Sequence, residues 1–317
     1  MIKRLLILLL AAQALLIGLL AYGLYHWWRP AWQAELSAPA TVAFYLACGL
    51  AAMLLIRLLI SANNFYLSAR ASSVTPPGHA LNLLSAASLF CHEFHASMLT
   101  SSYYMLRPIG MQLQPRQQQQ GLPVLLIHGY GCNSGYWLPM SKLLRQALIS
   151  HYGIDLEPPG ASIDDFAPQV HSAVERLRAE TGSAQVVIVG HSMGGLVARA
   201  YLRRYGDAHI AKVITLGTPH HGTVLAHLGP GSNALQMRRD SAWLGTLAES
   251  EANTQRMLFS SIYSVHDNII APQDSSDLPG ARNLVFGAIG HVALGRHPAI
   301  LRCALQEIAD VAPRARA

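Results

Sequence analysis

Six residues constrain this chain more than any others. Gly190-His191-Ser192-Met193-Gly194-Gly195 stands between the apolar run Val186-Val187-Ile188-Val189 and the helical run Leu196-Val197-Ala198-Arg199-Ala200. A buried strand has to become a helix within that stretch. The residues flanking the serine then need to be glycine, because a Cβ there would meet the neighbouring strand or helix. G-x-S-x-G in this context sets a serine hydroxyl on a sharp bend, beside the positive N-terminus of a helix. The plainer use of Ser192 is as a helix cap in a glycine-rich turn. From residue 122 onward the pattern around the motif is regular: strands are expected at 122–128, 151–156, 185–189, 210–216, 261–265 and 283–287. Helices are expected at 136–150, 164–180, 193–205 and 299–311. Such alternation makes right-handed crossovers onto a mainly parallel sheet with helices on both faces. The ligand crevice of such a sheet lies at the carboxyl ends of its strands. The expected class is therefore α/β.

A serine hydroxyl is a weak nucleophile and needs a base. Fifteen histidines compete for that role. On a strand–turn–helix nucleophile the acid and then the histidine follow the serine in chain order. Asp267 comes directly after an expected strand, whereas Asp274 and Asp277 lie farther along a polar loop and Asp207 and Asp240 are less well placed. Gly290-His291 follows the last expected strand, with His297 as a close rival. The expected triad is Ser192, Asp267 and His291, chosen by position after strands. His291 takes the serine proton, and Asp267 fixes the imidazole tautomer and stabilises the imidazolium. The oxyanion needs two aimed backbone N–H donors. Met193 follows the nucleophile, and Tyr130 lies in the His128-Gly129-Tyr130-Gly131 loop after the first expected strand. His128 itself is expected to hold structure.

No metal or cofactor site is expected. His92-Glu93-Phe94-His95 lies on a helix expected over 81–105, and its histidines are three apart, unlike the four of HExxH. That helix reads as a brace against the following domain or a membrane surface. His220 and His221 are adjacent on a turn and point apart. The four cysteines, Cys48, Cys91, Cys132 and Cys303, are scattered and signal neither zinc nor disulfides.

The N-terminal part has another character. Residues 5–25 carry no charge and one strong polar group, Gln13, and residues 41–60 form a second apolar run containing Arg57. Each is near the length that spans a hydrocarbon core as a helix. Trp27, Trp28 and Trp32 fall between them, as interfacial rings do. Arg57 is expected to snorkel to the headgroups. A cleaved signal peptide is the rival, with Ala38-Pro39-Ala40 as a possible site, but its apolar core would be only ~7–15 residues. The expectation is a two-helix transmembrane hairpin. Lys3, Arg4, Arg57 and Arg70 at its ends outnumber Arg29 between the runs, which puts both ends in the cytoplasm. Composition agrees with lipid contact: 13% of residues are charged, against about 25% in soluble domains. The net charge is 23 − 17 = +6, and the first 70 residues supply 5 − 1 = +4 of it, so the basic balance is no nucleic-acid footprint.

Taken together, Ile127-His128-Gly129-Tyr130, Gly190-His191-Ser192-Met193-Gly194, Leu216-Gly217-Thr218-Pro219-His220-His221-Gly222 and Gly290-His291 resemble an α/β-hydrolase of the bacterial triacylglycerol lipase type. The resemblance implies an esterase or lipase acting on acyl esters through the triad above. The hairpin is unlike secreted lipases of that type and points instead to a bacterial inner membrane and to lipid or other apolar acyl esters there. It also implies a cap or lid, placed at 222–258 and including Gln236-Met237-Arg238-Arg239-Asp240-Ser241. Relatives of that type often carry a calcium site with an acid shortly after the histidine. Here Val292-Ala293-Leu294-Gly295 follows, so no calcium is expected. The expected organisation is an anchor at 1–62, a linker and bracing helix at 63–120, and a catalytic domain at 121–317. An acyltransferase or thioesterase would use the same triad, and a membrane scaffold on a dead hydrolase fold would keep only the shape.

Overall fold

The computed structural model describes residues 2–28, 30 and 37–311. Arg29 and Trp32, used above for orientation and the interfacial belt, lie outside the described residues. Seven strands form one sheet: β1 Met111–Gln112, β2 Val124–Ile127, β3 His151–Ile154, β4 Val186–His191, β5 Ile210–Leu216, β6 Phe259–Ser264 and β7 Arg282–Phe286. Their spatial order is β1-β3-β2-β4-β5-β6-β7. Every pairing is parallel except β1 with β3. The expected parallel α/β sheet is present, extended by β1, a two-residue strand too short to leave a periodic pattern.

Helices cover both faces, as a sheet apolar on each side requires. On one face α5 (Ile163–Thr181) and α6 (Met193–Tyr205) pack Phe166, Val170, Leu196 and Tyr201 onto Ile127, Ile188 and Val213. A capping box of Ser162 and Asp165 starts α5, and Gly182 at φ 73° ends it. On the other face α4 (Leu138–Gln146) and α10 (Pro298–Ala309) pack Met140, Leu144, Ile300 and Ala304 onto Leu126, Val189 and Ile214. The chain enters α4 through a turn of 3-10 helix at Ser134–Trp137, where a single longer helix was expected.

Two long helices precede the sheet, α1 (Ile2–Trp27) and α2 (Ala38–Arg70), and they pack side by side. Both are long and apolar enough to cross a membrane, with mean hydropathy of 2.5 and 2.2 over their most apolar windows. Only 11% and 17% of those windows is buried, unlike a soluble core helix; a signal sequence would also pass on length and hydropathy. Two expectations are corrected here. The linker was expected to begin at 63, but α2 continues unbroken to Arg70. Of its side chains there, Ser68 is buried against the sheet domain and Asn64 lines a cavity in it, whereas Asn63, Tyr66 and Arg70 stay exposed. Arg57 does not reach for headgroups: its guanidinium donates to Gln13 Oε1 and to Ser101 Oγ, both at 2.9 Å. The polar residues of the two apolar runs thus satisfy each other, with Ser101 supplied by α3 (Leu83–Ser102). Ala96 of α3 is fully buried in the α4/α10 layer. Ile2 and Leu6 of α1 pack on Met105, just after α3.

Candidate active site

The strand order reverses around β2. The loops after β2 and β4 therefore face each other at the carboxyl ends of the sheet and leave a crevice. Ser192 stands in it at φ 54° and ψ −124°, a left-handed conformation that a serine adopts only under constraint. Such strain costs ~1–3 kcal/mol and is characteristic of functional positions. The glycines make the bend feasible. A Cβ on Gly190 would stand 2.7 Å from the Gly194 and Gly195 backbone, and one on Gly194 would strike Ile127 O. Ser192 N–H donates to Leu216 O, and Thr218 Oγ1 donates to Ser192 O, so the bend is fastened to the loop after β5. Ser192 does not cap α6 with its side chain, which removes the cap alternative.

Asp267 follows β6 and is 2% exposed. Its Oδ2 accepts the His291 Nδ1 proton at 2.8 Å. Its Oδ1 accepts the Ile269 and Ile270 N–H groups at 2.8 Å each, so the carboxylate cannot swing away. Asn268 Oδ1 accepts the His291 N–H at 2.9 Å and fixes the histidine backbone as well. The His291 ring lies 4.6 Å from that of His191, the residue before Ser192, so the acid–histidine pair stands at the bend. Among the described residues no hydrogen bond joins Ser192 Oγ to His291; such contacts often tighten only when substrate is bound. His297, the rival, instead accepts Ala299 N–H at the start of α10.

The electrostatics separate the histidines. Burial opposes a charged His291, but the charge and hydrogen bond of Asp267, helped by the Glu93 carboxylate, outweigh it and raise its pKa above the ordinary value. Burial, reinforced by the charge of His291, holds His191 well below that value. Burial also lowers His128, whose Nδ1 donates to Gly129 O while its Nε2 accepts Leu156 N–H. His128 thus shapes the loop that holds Tyr130. Met193 is the first residue of α6, where a helix leaves N–H groups without an intrahelical acceptor. Among the described hydrogen bonds none takes the Tyr130 N–H either. Burial pushes the Cys132 thiol up to about 12, far from a reactive thiolate. His220 Nε2 meets Thr215 Oγ1 and His221 Nε2 meets Asp277 O, so the two rings diverge.

Sequence reasoning missed what the N-terminal helices bring. Glu93 of α3 is 2% exposed, and its carboxylate accepts Val292 and Ala293 N–H at 2.9 Å each, clamping the turn that follows His291. The His-Glu-Phe-His stretch drew attention for metal, whereas its acid serves the loop; a lone acid on an apolar helix face was the available signal. Ser68 of α2 donates to Asp267 O at 2.9 Å, and Gln273 joins both. Two cavities meet at Tyr130. One, of about 240 Å³, contains Ser192 and is lined by Asn64, Leu225, Met237, Ile269 and Ile270. The other, of about 370 Å³, runs past Met193 to Phe166, Ile2 and Leu5. The stretch expected to be a cap is divided. A 3-10 turn Val224–Leu228 and α7 (Ser232–Gln236) border the cavities, and Tyr130 Oη donates to Pro230 O there at 2.7 Å. In contrast α8 (Ala242–Glu249) buries Leu244 and Leu247 in the core and, followed by the short α9 (Asn253–Arg256), makes the crossover from β5 to β6.

A family model described as alpha/beta hydrolase fold matches residues 123–259. The chain has the alpha/beta hydrolase fold, and triacylglycerol lipases and esterases are its distant homologues. A triacylglycerol lipase of Pseudarthrobacter phenanthrenivorans is 32% identical over 114 residues, which is 33% of this chain and 35% of that protein. The match thus spans about a third of that relative's length. Among solved structures, Aspergillus fumigatus lipase B superposes with a TM-score of 0.56 at 18% identity, covering 64% of this chain and 57% of that one. Bacillus licheniformis lipase BlEst2 in its mature form gives 0.53 at 17% identity, covering 62% and 94%. At these identities the likeness is one of fold.

Proposed function

We propose that this protein is a membrane-anchored serine hydrolase that cleaves carboxylic esters of lipids or other apolar acyl compounds. The observation that carries the reading is the left-handed Ser192 on its bend, with a buried, fully bonded Asp267–His291 pair beside it and apolar cavities on either side of the oxyanion loop. The lipase and esterase homologues support the reaction class.

In the proposed reaction His291 Nε2 takes the proton of Ser192 Oγ as that oxygen bonds to the ester carbonyl carbon. The carbonyl oxygen becomes an oxyanion held by the Tyr130 and Met193 N–H groups. The imidazolium, stabilised by Asp267, returns its proton to the departing alkoxide, and the carbonyl re-forms as an acyl-enzyme. Water then gives a proton to His291 and attacks the acyl carbon, releasing the acid and free Ser192. Residues 224–237 serve as the cap over this site.

The hairpin of α1 and α2 is the anchor. Its low burial and the rows of exposed leucines on both helices support lipid contact. Lys3, Arg4 and Arg70 at its root support a reading in which that root and the catalytic domain face the cytoplasmic side of a bacterial inner membrane. The test is labelling of the detergent-solubilised full chain with a fluorophosphonate probe beside Ser192→Ala. Labelling of the wild type alone is expected; labelling of neither would leave a scaffold on a hydrolase fold. Reporter fusions at the C-terminus test the side, and a periplasmic signal would overturn it.

A further inference from the structure

We propose that the cavity walled by the start of α1 is the acyl-chain site and fills from the bilayer along the hairpin, which makes the substrate a long-chain ester lipid resident in the membrane. This rests on the hydrolase reading above and adds a substrate class and a second role for the anchor. The inner end of the cavity lies at Tyr130 and Met193, whose N–H groups would hold the carbonyl oxygen. A chain on the carbonyl carbon would extend from there past Leu156 and Phe166, which also line the cavity, toward α1. The cavity that contains Ser192 lies on the other side of Tyr130 and takes the alcohol part.

Ile2 and Leu5 of α1 line the outer end of the acyl cavity. Ile2 is buried against Met105, so this end of α1 is fixed on the domain. Leu5 is half exposed, and Leu8 and Leu9 on the next turn are 67% and 50% exposed. Leu15, Leu16 and Leu19 continue the exposed apolar surface toward the tip of the hairpin. An anchor that was only a tether would have no reason to enter the wall of the site. A chain that leaves lipid for water loses about fourfold in partitioning per methylene. A chain that follows α1 from lipid to cavity avoids that loss, and the advantage grows with chain length.

The experiment uses the full chain in lipid nanodiscs and nitrophenyl esters from butyrate to palmitate. The quantity read is the palmitate-to-butyrate ratio of kcat/KM. Leu5→Trp, which fills the outer end, is expected to lower that ratio at least tenfold. Leu5→Gln, of similar volume, is expected to lower it at least threefold by putting an amide in the apolar track, and it keeps the test decisive should the tryptophan variant fail to fold. A ratio lowered less than threefold in Leu5→Gln overturns the proposal. No turnover of any ester by the wild type, with no probe labelling, would overturn the hydrolase reading itself; turnover with an unmoved ratio overturns only this inference.

Discussion

Glu93→Gln removes one negative charge and one acceptor from behind the His291 turn while keeping the size of the side chain. Both carboxylate oxygens are in use, one on Val292 N–H and one on Ala293 N–H. A glutamine accepts only one of these bonds and turns its own N–H₂ toward the other donor. A hydrogen bond to a charged group is worth ~1.5–3 kcal/mol, and a buried donor without a partner costs ~1–3 kcal/mol. These describe the same loss, so a destabilisation of ~2–3 kcal/mol is expected by denaturation in detergent. If half of it appears as misplacement of the imidazole in the transition state, kcat/KM for a short nitrophenyl ester falls about tenfold. The pH profile separates this from general damage. In the proposed mechanism His291 acts as a base when neutral, and its pKa is raised against burial by Asp267 and Glu93. Activity is therefore lost as pH falls through the raised value. Without the Glu93 charge that value drops, and the acid limb of kcat/KM moves to lower pH. The stability that protonated His291 contributes is full below its ordinary pKa and is lost as pH rises through the folded one; this contribution shrinks too. An acid limb left where it was, with unchanged melting, would refute the role given to Glu93.

Asp267→Asn keeps the shape of the acid but favours the wrong imidazole tautomer, and kcat is expected to fall ~10⁴-fold with probe labelling slowed in parallel. Gly129→Ala places a Cβ 2.9 Å from Ser192 Cβ and should lower kcat ~10²-fold or more with KM little changed, by displacing the oxyanion loop; wild-type kcat would show that the loop has room. Leu247→Ala should cost ~2–5 kcal/mol in denaturation, because α8 fills the core; a change below ~0.5 kcal/mol would mean that α8 lifts away as part of the cap.

The parallel sheet, the bend at Ser192 and the positions of Asp267 and His291 after strands were legible because each leaves a local mark: a continuous apolar run, glycines at fixed offsets, a polar residue just after a strand. What was not legible came from residues distant in sequence. Glu93 meets the His291 turn across 199 and 200 residues, and Ser68 meets Asp267 across 199. Nothing in either segment announces its partner. The extent of α2 was misjudged for a related reason. The polar residues from 63 on read as a solvated linker, but Asn64 and Ser68 among them meet the domain, and the exposed ones lie on the same unbroken helix. Likewise 222–258 looked like one insertion, and only tertiary packing separates α8 from the stretch that borders the cavities.

The continuity of α2 has a geometric consequence. At 1.5 Å per residue, its 33 residues make a rod about 50 Å long, against a hydrocarbon core of about 30 Å. Under the membrane reading the remainder stands outside the lipid as a stiff axle, so the catalytic crevice keeps a set height above the bilayer and a set compass bearing around the helix. A flexible tether would tolerate an extra residue between Arg57 and Asn64. In this axle one added residue turns everything beyond it by about 100° and swings Asn64 and Ser68 off the crevice they touch.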